Sequence, residues 1–277
     1  MNLIVTALRP EAVPFIRLLR LKRVLSITSH EVYRHQDFCL IITGSGLTRS
    51  AIGTTVALQF LVNEDITCET VTNIGIAGST GEFELGTLVR PTKITNETTE
   101  ESFYPDVTVH IPCETGFLRS SPMPIEAPRG WDTRTLGDME GAAFFESCKT
   151  FIPLERILVL KVVSDHFAPS DVTKHTIEAH IQSHAEQVIT AVRTLQAAVQ
   201  RTTGTLLNAE DEELLARCEK HFSLTTSQRV KLREEATYFR ASTNEPLPLS
   251  AFLHRAQPST KVAQKELLQE AFHVLSR

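Results

Sequence analysis

The sequence predicts an α/β domain followed by a helical C-terminal extension. Over the first 200 of the 277 residues, short and nearly continuous apolar segments alternate with amphipathic helical segments. That alternation is typical of a largely parallel sheet covered by helices. Eleven of the twelve glycines precede residue 142, whereas residues 205–277 contain none. We therefore predict one domain over residues 1–203 and a helical extension over residues 204–277.

The buried strands of the first domain are predicted from runs of aliphatic side chains. These strands are expected at residues 3–7, 38–43, 70–76, 88–94 and 157–163. Helices are predicted from apolar side chains three or four residues apart. They are expected at residues 12–21, 50–61, 139–148 and 176–199. Ligands of such folds bind beyond the carboxyl ends of the strands, so we expect the functional residues there.

The extension is predicted to consist of helices rich in charges of both signs, with ten acidic and ten basic residues. Asn208 can cap the first helix, which is expected to reach residue 222. The other helices are expected at residues 226–240, 248–254 and 261–275. About 70 residues bury only a marginal core. We therefore expect the extension to pack on the main domain or on a partner subunit.

Composition and charge exclude several classes of protein. The composition, with 42% hydrophobic and 22% charged residues, is typical of a soluble globular protein. No apolar run reaches about 18 residues, so we expect no membrane partner. The net charge of −5 argues against a nucleic-acid partner. The five cysteines are widely spaced and odd in number, and the first eight residues lack the features of a signal peptide. We therefore expect free thiols and a cytoplasmic location.

Candidate site residues lie in four segments that follow or flank the predicted strands. Glu11 follows the first strand, and residues 44–46 (Gly-Ser-Gly) follow the second. Free backbone N–H groups in such a turn can bind an anion or a hydroxyl group. Residues 73–78 end the third strand with two glycines, which allow close approach of the backbone to a flat ligand. The fourth segment pairs residues 138–141, at a helix start, with Ser164-Asp165 at the end of a buried strand. Separated carboxyls in one pocket can divide acid and base roles.

In order and spacing, these segments resemble the nucleoside phosphorylase and nucleosidase superfamily, above all 5′-methylthioadenosine/S-adenosylhomocysteine nucleosidases. The resemblance covers about residues 1–200, and its most specific part is Met139-Glu140 followed some 25 residues later by Ser164-Asp165. Residues 75–78 and 139–145 also resemble futalosine hydrolases. The resemblance implies a three-layer α/β/α sandwich of the nucleoside phosphorylase type. It also implies a homodimer that needs neither a cofactor nor a metal ion.

The resemblance also implies a role for each candidate residue. Glu11 would activate the attacking water, and Asp165 would protonate or hydrogen-bond N7 of the leaving purine, with Ser164 orienting it. Glu140 would bind the ribose hydroxyls, and Met139 would pack on the sugar. The remaining substrate contacts would come from Gly46, Ile76, Ala77 and Gly78. Breaking an N-glycosidic bond creates positive charge on the ribose and negative charge on the base, and this arrangement stabilises both.

The predicted function is hydrolysis of an adenosine-type purine nucleoside, expected to carry a modified 5′ group, to the free base and a ribose derivative. Three alternatives stay open: a phosphorylase that uses phosphate, a futalosine hydrolase, and a nucleoside-binding protein without catalysis. Related phosphorylases have arginine where this chain has Asn73, which favours water, although Arg9 and Arg49 leave phosphorolysis possible. Futalosine hydrolases tend to have asparagine where Asp165 stands, which argues against that substrate.

Three features of the sequence leave the details of the site open. The nucleosidase branch commonly has serine at the position of Ile76. The loop that holds the base aligns poorly, and Phe117 or residues 120–123 are its candidates. His180 and His184, with His175 nearby, have a spacing that can bind zinc. No acidic pattern supports a metalloprotease, so we predict that these histidines lie on a solvated helix face.

Overall fold

The computed structural model describes residues 1–125, 130–168, 172–203, 207–243, 245–257 and 260–275, with the backbone alone for residues 201–203 and 226–227. The chain divides into two units, Met1–Val199 and Gln200–Arg277. The boundary expected from the sequence falls at residues 203–204. Gly204, which suggested it, lies outside the described residues.

The described part of the first unit holds a mixed sheet of ten strands. They are β1 (Asn2–Thr6), β2 (Lys22–Arg23), β3 (Glu31–His35), β4 (Phe38–Ile42), β5 (Thr70–Ser79), β6 (Leu88–Asn96), β7 (Ser102–Phe103), β8 (Glu114–Ser120), β9 (Thr135–Asp138) and β10 (Ile157–Asp165). The helices of this unit are α1 (Arg9–Leu18), α2 (Leu47–Asn63), α3 (Gly141–Cys148) and α4 (Lys174–Thr203), with a 3-10 turn at Leu154–Arg156.

The centre of the sheet is parallel. Strand β1 pairs in parallel with β4 on one side and β5 on the other, and β5 pairs in parallel with β10. Antiparallel strands extend both ends, since β3 pairs with β4 and β6 pairs with β10. Beyond β6, the strands β8 and β9 lead back to the end of β5, which closes a ring. The predicted parallel sheet is therefore its core, and the antiparallel strands are additions.

Helices cover both faces of the sheet. On one face, Leu3 and Val5 of β1 are buried together with residues of α2 and α3. On the other face, Ile4 is buried with residues of α1 and α4. This alternation along β1 follows from the two-residue period of a strand. It produces the three-layer α/β/α architecture expected from the sequence, with the polar ends of the strands left for a site.

The second unit is helical and has a hydrophobic core of its own. Its helices are α5 (Ala209–His221), α6 (Thr226–Thr243), α7 (Ser250–Leu253) and α8 (Lys261–Leu275). Asn208 caps α5 as predicted, because its side chain accepts a 2.9 Å hydrogen bond from the backbone N–H of Asp211. On α8, Leu268, Ala271 and Leu275 are buried in this core. In the described residues, no helix is long and apolar enough to cross a bilayer.

Candidate active site

A cavity of about 190 Å³ opens at the carboxyl ends of the central strands. Among the described residues, four carboxyl side chains reach it. Two end the strands β9 and β10, and the other two lie just after β1 and β9. The remaining lining is mostly apolar. The lining residues are Ala7, Leu8, Glu11, Ser45, Ile76, Ala77, Gly78, Pro124, Ile125, Gly137, Asp138, Met139, Glu140, Ser164, Asp165 and Phe167.

Glu11 is held rigidly at the bottom of the first turn of α1. One oxygen, Oε2, accepts hydrogen bonds from the backbone N–H groups of Ala7 (2.9 Å) and Leu8 (2.8 Å). The other, Oε1, accepts one from Ile76 N–H at 3.0 Å. The side chain is only 2% exposed. Its position therefore depends on backbone groups of two strand ends, which leaves it little freedom to move.

Burial, followed by the charge of Glu140, raises the pKa of Glu11 to about 7. The hydrogen bonds from Ile76 and Leu8 and the charge of Lys161 act in the opposite direction. A carboxyl group that titrates near neutral pH can accept a proton effectively during a reaction. The environment of Glu11 is therefore suited to a general base.

Glu140 precedes the first residue of α3 and reaches across to the turn before α2. Its Oε1 accepts hydrogen bonds from Ser45 Oγ and from the backbone N–H of Gly46, both at 2.8 Å. Gly46 does not line the cavity itself, but it holds Glu140 there. Burial, followed by the neighbouring charge of Asp138, raises the pKa of Glu140 above its usual range, although Lys161 lowers it. The predicted anion site at this turn is thus filled by a carboxylate of the protein.

A buried ion pair lies beneath the cavity. Lys161 Nζ is 2.7 Å from Asp138 Oδ2, and each side chain is 1% exposed. The same carboxylate accepts a 2.8 Å hydrogen bond from Gly141 N–H at the start of α3, and Ser120 Oγ donates to its other oxygen. Burial lowers the pKa of Lys161, but the charges of Asp138 and Glu140 outweigh this and raise it. The lysine therefore stays charged and compensates the acids around it.

Asp165 is the last residue of β10 and also lines the cavity. Ser164 Oγ donates a hydrogen bond of 2.6 Å to Asp165 Oδ2 and lies 3.2 Å from the carbonyl oxygen of Ala77. Ala168 N–H donates to Asp165 Oδ1 at 2.9 Å. The carboxyl group is partly exposed to the cavity. Its two neighbours fix its direction while leaving it accessible to a ligand.

Phe167 forms an aromatic wall beside Asp165. Its φ angle is +58°, a left-handed conformation that costs a residue with a side chain roughly 1–2 kcal/mol. Trp131 contacts it edge-on, with ring centroids 5.5 Å apart. Strained residues are concentrated at functional sites, where the surrounding structure maintains them. We therefore treat Phe167 as part of the site.

Glycine is required at one position of the site for a steric reason. A Cβ atom on Gly75 would lie 2.8 Å from Glu11 Oε1. Any larger residue at position 75 would displace the carboxyl group. The sequence reasoning selected the two glycines of this segment for close approach of a ligand, and Gly75 instead allows the close approach of a side chain.

The structure brings the predicted site residues together in one place. Of the nine, eight line the cavity, and Gly46 contacts Glu140 from outside it. The prediction for the base loop was wrong in detail. Phe117 and residues 120–123 do not line the cavity, and Pro124 and Ile125 do. The hydroxyl of Ser120 is used instead by Asp138 and by the N–H of Ala142.

Sequence reasoning missed two contributors. Lys161 could have been found, because a lysine inside the apolar run Ile157–Val163 must be buried and must therefore have a partner. Phe167 carried no signal, because its role depends on a turn and on contacts with residues distant in sequence.

One of the three histidines of α4, His184, lies differently from the prediction. His184 Nε2 is 2.7 Å from the carbonyl oxygen of Gly86, and His184 is half-buried. The expected solvated face was therefore wrong for this residue, which anchors the turn before β6. In the described ranges, no three His, Cys, Asp or Glu side chains are grouped as a metal site requires.

Comparison with known proteins identifies the fold. No protein-family model matches the chain, and no curated protein matches its sequence. A 5′-methylthioadenosine/S-adenosylhomocysteine nucleosidase from Helicobacter pylori, solved with butyl-thio-DADMe-Immucillin-A, matches with a TM-score of 0.59. The identity is 15%, and the match covers 70% of this chain and 97% of that one.

Two further structures support the same assignment. The futalosine hydrolase of Helicobacter pylori strain 26695 matches with a TM-score of 0.58 at 15% identity, over 70% of this chain and 97% of its own. A nucleosidase of the first kind from Colwellia psychrerythraea 34H, in complex with adenine, matches with a TM-score of 0.56 at 18% identity, over 72% and 95%. The chain thus has the fold of the two branches that its motifs resemble.

Proposed function

We propose that this chain is a purine nucleosidase that hydrolyses the N-glycosidic bond of an adenosine-type nucleoside. The observation that carries the proposal is the convergence of Glu11, Glu140 and Asp165 in one cavity. The fold shared with nucleosidases supports it. The names of these neighbours suggest 5′-methylthioadenosine and S-adenosylhomocysteine as candidate substrates, with futalosine as a second candidate.

Asp165 acts on the leaving base. The purine accumulates electron density as its bond to the ribose breaks, and a proton delivered to N7 neutralises it. Asp165 lies partly exposed at the edge of the cavity, with one oxygen bonded to Ser164 and the other to Ala168 N–H. Ser164 thereby sets the direction in which Asp165 meets the base.

Glu11 and Glu140 act on the sugar side. The ribose develops positive charge in the transition state, and a nearby carboxylate stabilises it. Glu140 binds the ribose hydroxyls and exchanges its bonds with Ser45 and Gly46 for bonds to the sugar. Glu11, whose pKa of about 7 leaves it partly ionised at neutral pH, takes a proton from the attacking water. The positive charge of Lys161 offsets the electrostatic repulsion among these carboxylates.

Water is the proposed nucleophile rather than phosphate. The N–H group at the start of α2, which could bind a phosphate, donates to Glu140. Arg9 is hydrogen-bonded to Glu31 and to Tyr33, and neither Arg9 nor Arg49 lines the cavity. Among the described residues that line the cavity, a phosphate ion would meet several carboxyl groups and no basic side chain, and the nearby Lys161 is paired with Asp138.

The test is a panel of nucleosides assayed for released base by chromatography. The panel contains adenosine, inosine, 5′-methylthioadenosine, S-adenosylhomocysteine, futalosine and uridine. Each nucleoside is assayed with and without added phosphate. We expect release of free purine at a rate that phosphate does not change. Strict dependence on phosphate would make the protein a phosphorylase, and tight binding without release would make it a nucleoside-binding protein.

A further inference from the structure

The segment after Asp165 holds an aromatic ring in a fixed position at the cavity. Phe167 lines the cavity two residues beyond the acid. Ala168 N–H donates to Asp165 Oδ1 at 2.9 Å, which closes the turn around Phe167. His166 Nε2 lies 3.0 Å from the carbonyl oxygen of Phe83 and anchors the same turn. The left-handed backbone of Phe167 is therefore held by hydrogen bonds on both sides of it.

Two paired glycines make room for this ring. Gly78 of β5 and Gly137 of β9 are directly paired across the two strands. A Cβ atom on Gly78 would lie 3.0 Å from a Phe167 ring atom, and one on Gly137 would lie 2.8 Å from another. Trp131 packs against the ring in a T-shaped arrangement, at 5.5 Å between centroids. The ring is thus seated against the strand ends, and its placement depends on residues from three separate segments.

The ring and the acid are neighbours at one point of the cavity. The same Cβ position on Gly78 that would lie 3.0 Å from the Phe167 ring would lie 3.3 Å from Asp165 Oδ1. A flat group that reaches the Asp165 carboxyl therefore lies within reach of the ring. Ile125 and Pro124 add apolar surface to the lining. An aromatic heterocycle fits such surroundings because it has apolar faces and a polar edge.

We propose that Phe167 is the face on which the leaving base stacks, and that it selects bicyclic bases over single-ring bases. This inference rests on the proposed nucleosidase function and adds the determinant of base selectivity. Stacking grows with the area of overlap, so a purine gains more from the ring than a pyrimidine does. Phe167 binds the base, while Asp165 delivers the proton.

The test replaces the aromatic ring with other side chains and leaves the backbone conformation that the turn requires unchanged. Phe167→Leu and Phe167→Met keep an apolar side chain but lack a flat face, and Phe167→Tyr keeps the face. Phe117→Leu is the control, because Phe117 is a partly exposed aromatic residue outside the cavity lining. Trp131 is the single tryptophan of the chain and contacts the Phe167 ring, so its fluorescence reports adenine binding.

We expect Phe167→Leu and Phe167→Met to raise the Kd for adenine and the KM for the nucleoside by roughly 5- to 150-fold, the range found when base-stacking aromatics are removed. The kcat should change less than about threefold, because the acid remains. The preference for purine over pyrimidine nucleosides should shrink by a similar factor. Phe167→Tyr and Phe117→Leu should stay close to the wild type.

Two outcomes overturn this inference while the proposed function stands. In the first, an active wild type and a folded Phe167→Leu have the same Kd for adenine and the same KM. In the second, kcat falls and the Kd for adenine does not change, which would give Phe167 a part in chemistry. A wild type that releases no base from any nucleoside rejects the proposed function, and this inference with it. If neither ring-less variant folds, Gly137→Ala replaces them, since its Cβ would displace the ring; unchanged Kd and KM there also overturn the inference.

Discussion

At the scale of single residues, the site is a balance between acids and one buried cation. Glu11, Asp138 and Glu140 surround Lys161, and the charges of all three raise the lysine pKa. Removing one partner from a buried pair such as Lys161 and Asp138 leaves an uncompensated charge, which is strongly destabilising. The ion pair therefore does more than link two strands. The positive charge of Lys161 acts to lower the pKa values of Glu11 and Glu140, which favours their ionised forms although both are buried.

The raised pKa of Glu11 predicts a specific pH dependence. If Glu11 must be ionised to accept a proton, kcat/KM rises with pH and levels off above about pH 7, where the carboxyl group has lost its proton. Below that pH the rate should fall about tenfold per unit. The dependence of kcat/KM on pH measures this, because kcat/KM reports the free enzyme. Glu11→Gln should lose the activity and also the rise of kcat/KM with pH. A rise of kcat/KM centred near pH 4.5 would contradict the raised pKa of Glu11.

Asp165→Asn tests the proton donor. The amide keeps the shape and most hydrogen bonds of the side chain but carries no transferable proton. We expect kcat to fall by about 10²–10⁴, the usual contribution of general acid–base catalysis, with the Kd for substrate changed little. Asp132→Asn is the control, because Asp132 is exposed and outside the cavity. A wild-type rate in Asp165→Asn would remove the leaving-group role.

At the scale of elements, the strands that position the site were readable from the sequence. Strands β1, β4, β5 and β10 are apolar runs, and they appear within two residues of most of their predicted bounds, except that β5 runs three residues further. Strands β8 and β9 were not predicted. Their sequences, Glu114–Ser120 and Thr135–Asp138, mix glycine with polar residues and carry no run of aliphatic side chains. They form because β6 and the end of β5 provide strands to pair with. That pairing depends on contacts between residues distant in sequence and not on a local pattern.

The same distinction explains the site. Glu11, the glycine turns and Ser164-Asp165 follow predictable strands, so their approach to one another was foreseeable. Glu140 lies at the start of a predicted helix, α3. The aromatic wall was not, because Phe167 owes its position to Gly137 on an unpredicted strand and to Trp131. Residues placed by strong local patterns can be predicted, and residues placed by long-range packing cannot.

A prediction at this scale concerns the contact between β5 and α1, where Gly75 lies against the Glu11 side chain. Gly75→Ala would put a methyl group 2.8 Å from Glu11 Oε1, so it should displace the base and lower kcat by at least tenfold. Gly116→Ala is a matched control, since its Cβ would lie 2.6 Å from the carbonyl oxygen of Arg134, away from the cavity. Both variants should lose stability, measured by thermal melting, but only Gly75→Ala should lose activity. Equal activity in the two would contradict the steric argument.

At the scale of the whole molecule, the two units have separate cores. The expectation that the extension must borrow a surface was too strong, because its apolar helix faces pack on each other. That it also covers the main domain or a subunit contact stays a prediction, as does the homodimer. The mass of the full chain in solution tests the latter.

Ending the chain after residue 203 tests the division of labour. Every described residue that lines the cavity precedes residue 168, so the shortened protein should release base at a rate within about threefold of the full chain. Solubility or melting temperature should fall if the extension covers apolar surface of the main domain. A stable shortened protein that binds nucleoside but cannot cleave it would place a catalytic group in residues 204–277.

The central claim is that water breaks the N-glycosidic bond in this cavity, and isotope transfer tests it most directly. The purified protein is incubated with 5′-methylthioadenosine in phosphate-free ¹⁸O-water, and the masses of the products are measured by mass spectrometry. The account predicts free adenine and a methylthioribose that carries one ¹⁸O atom, with both forming about 10²–10⁴ times more slowly in the Asp165→Asn variant. Unchanged nucleoside across the whole panel, or a sugar 1-phosphate formed once phosphate is added, would contradict it.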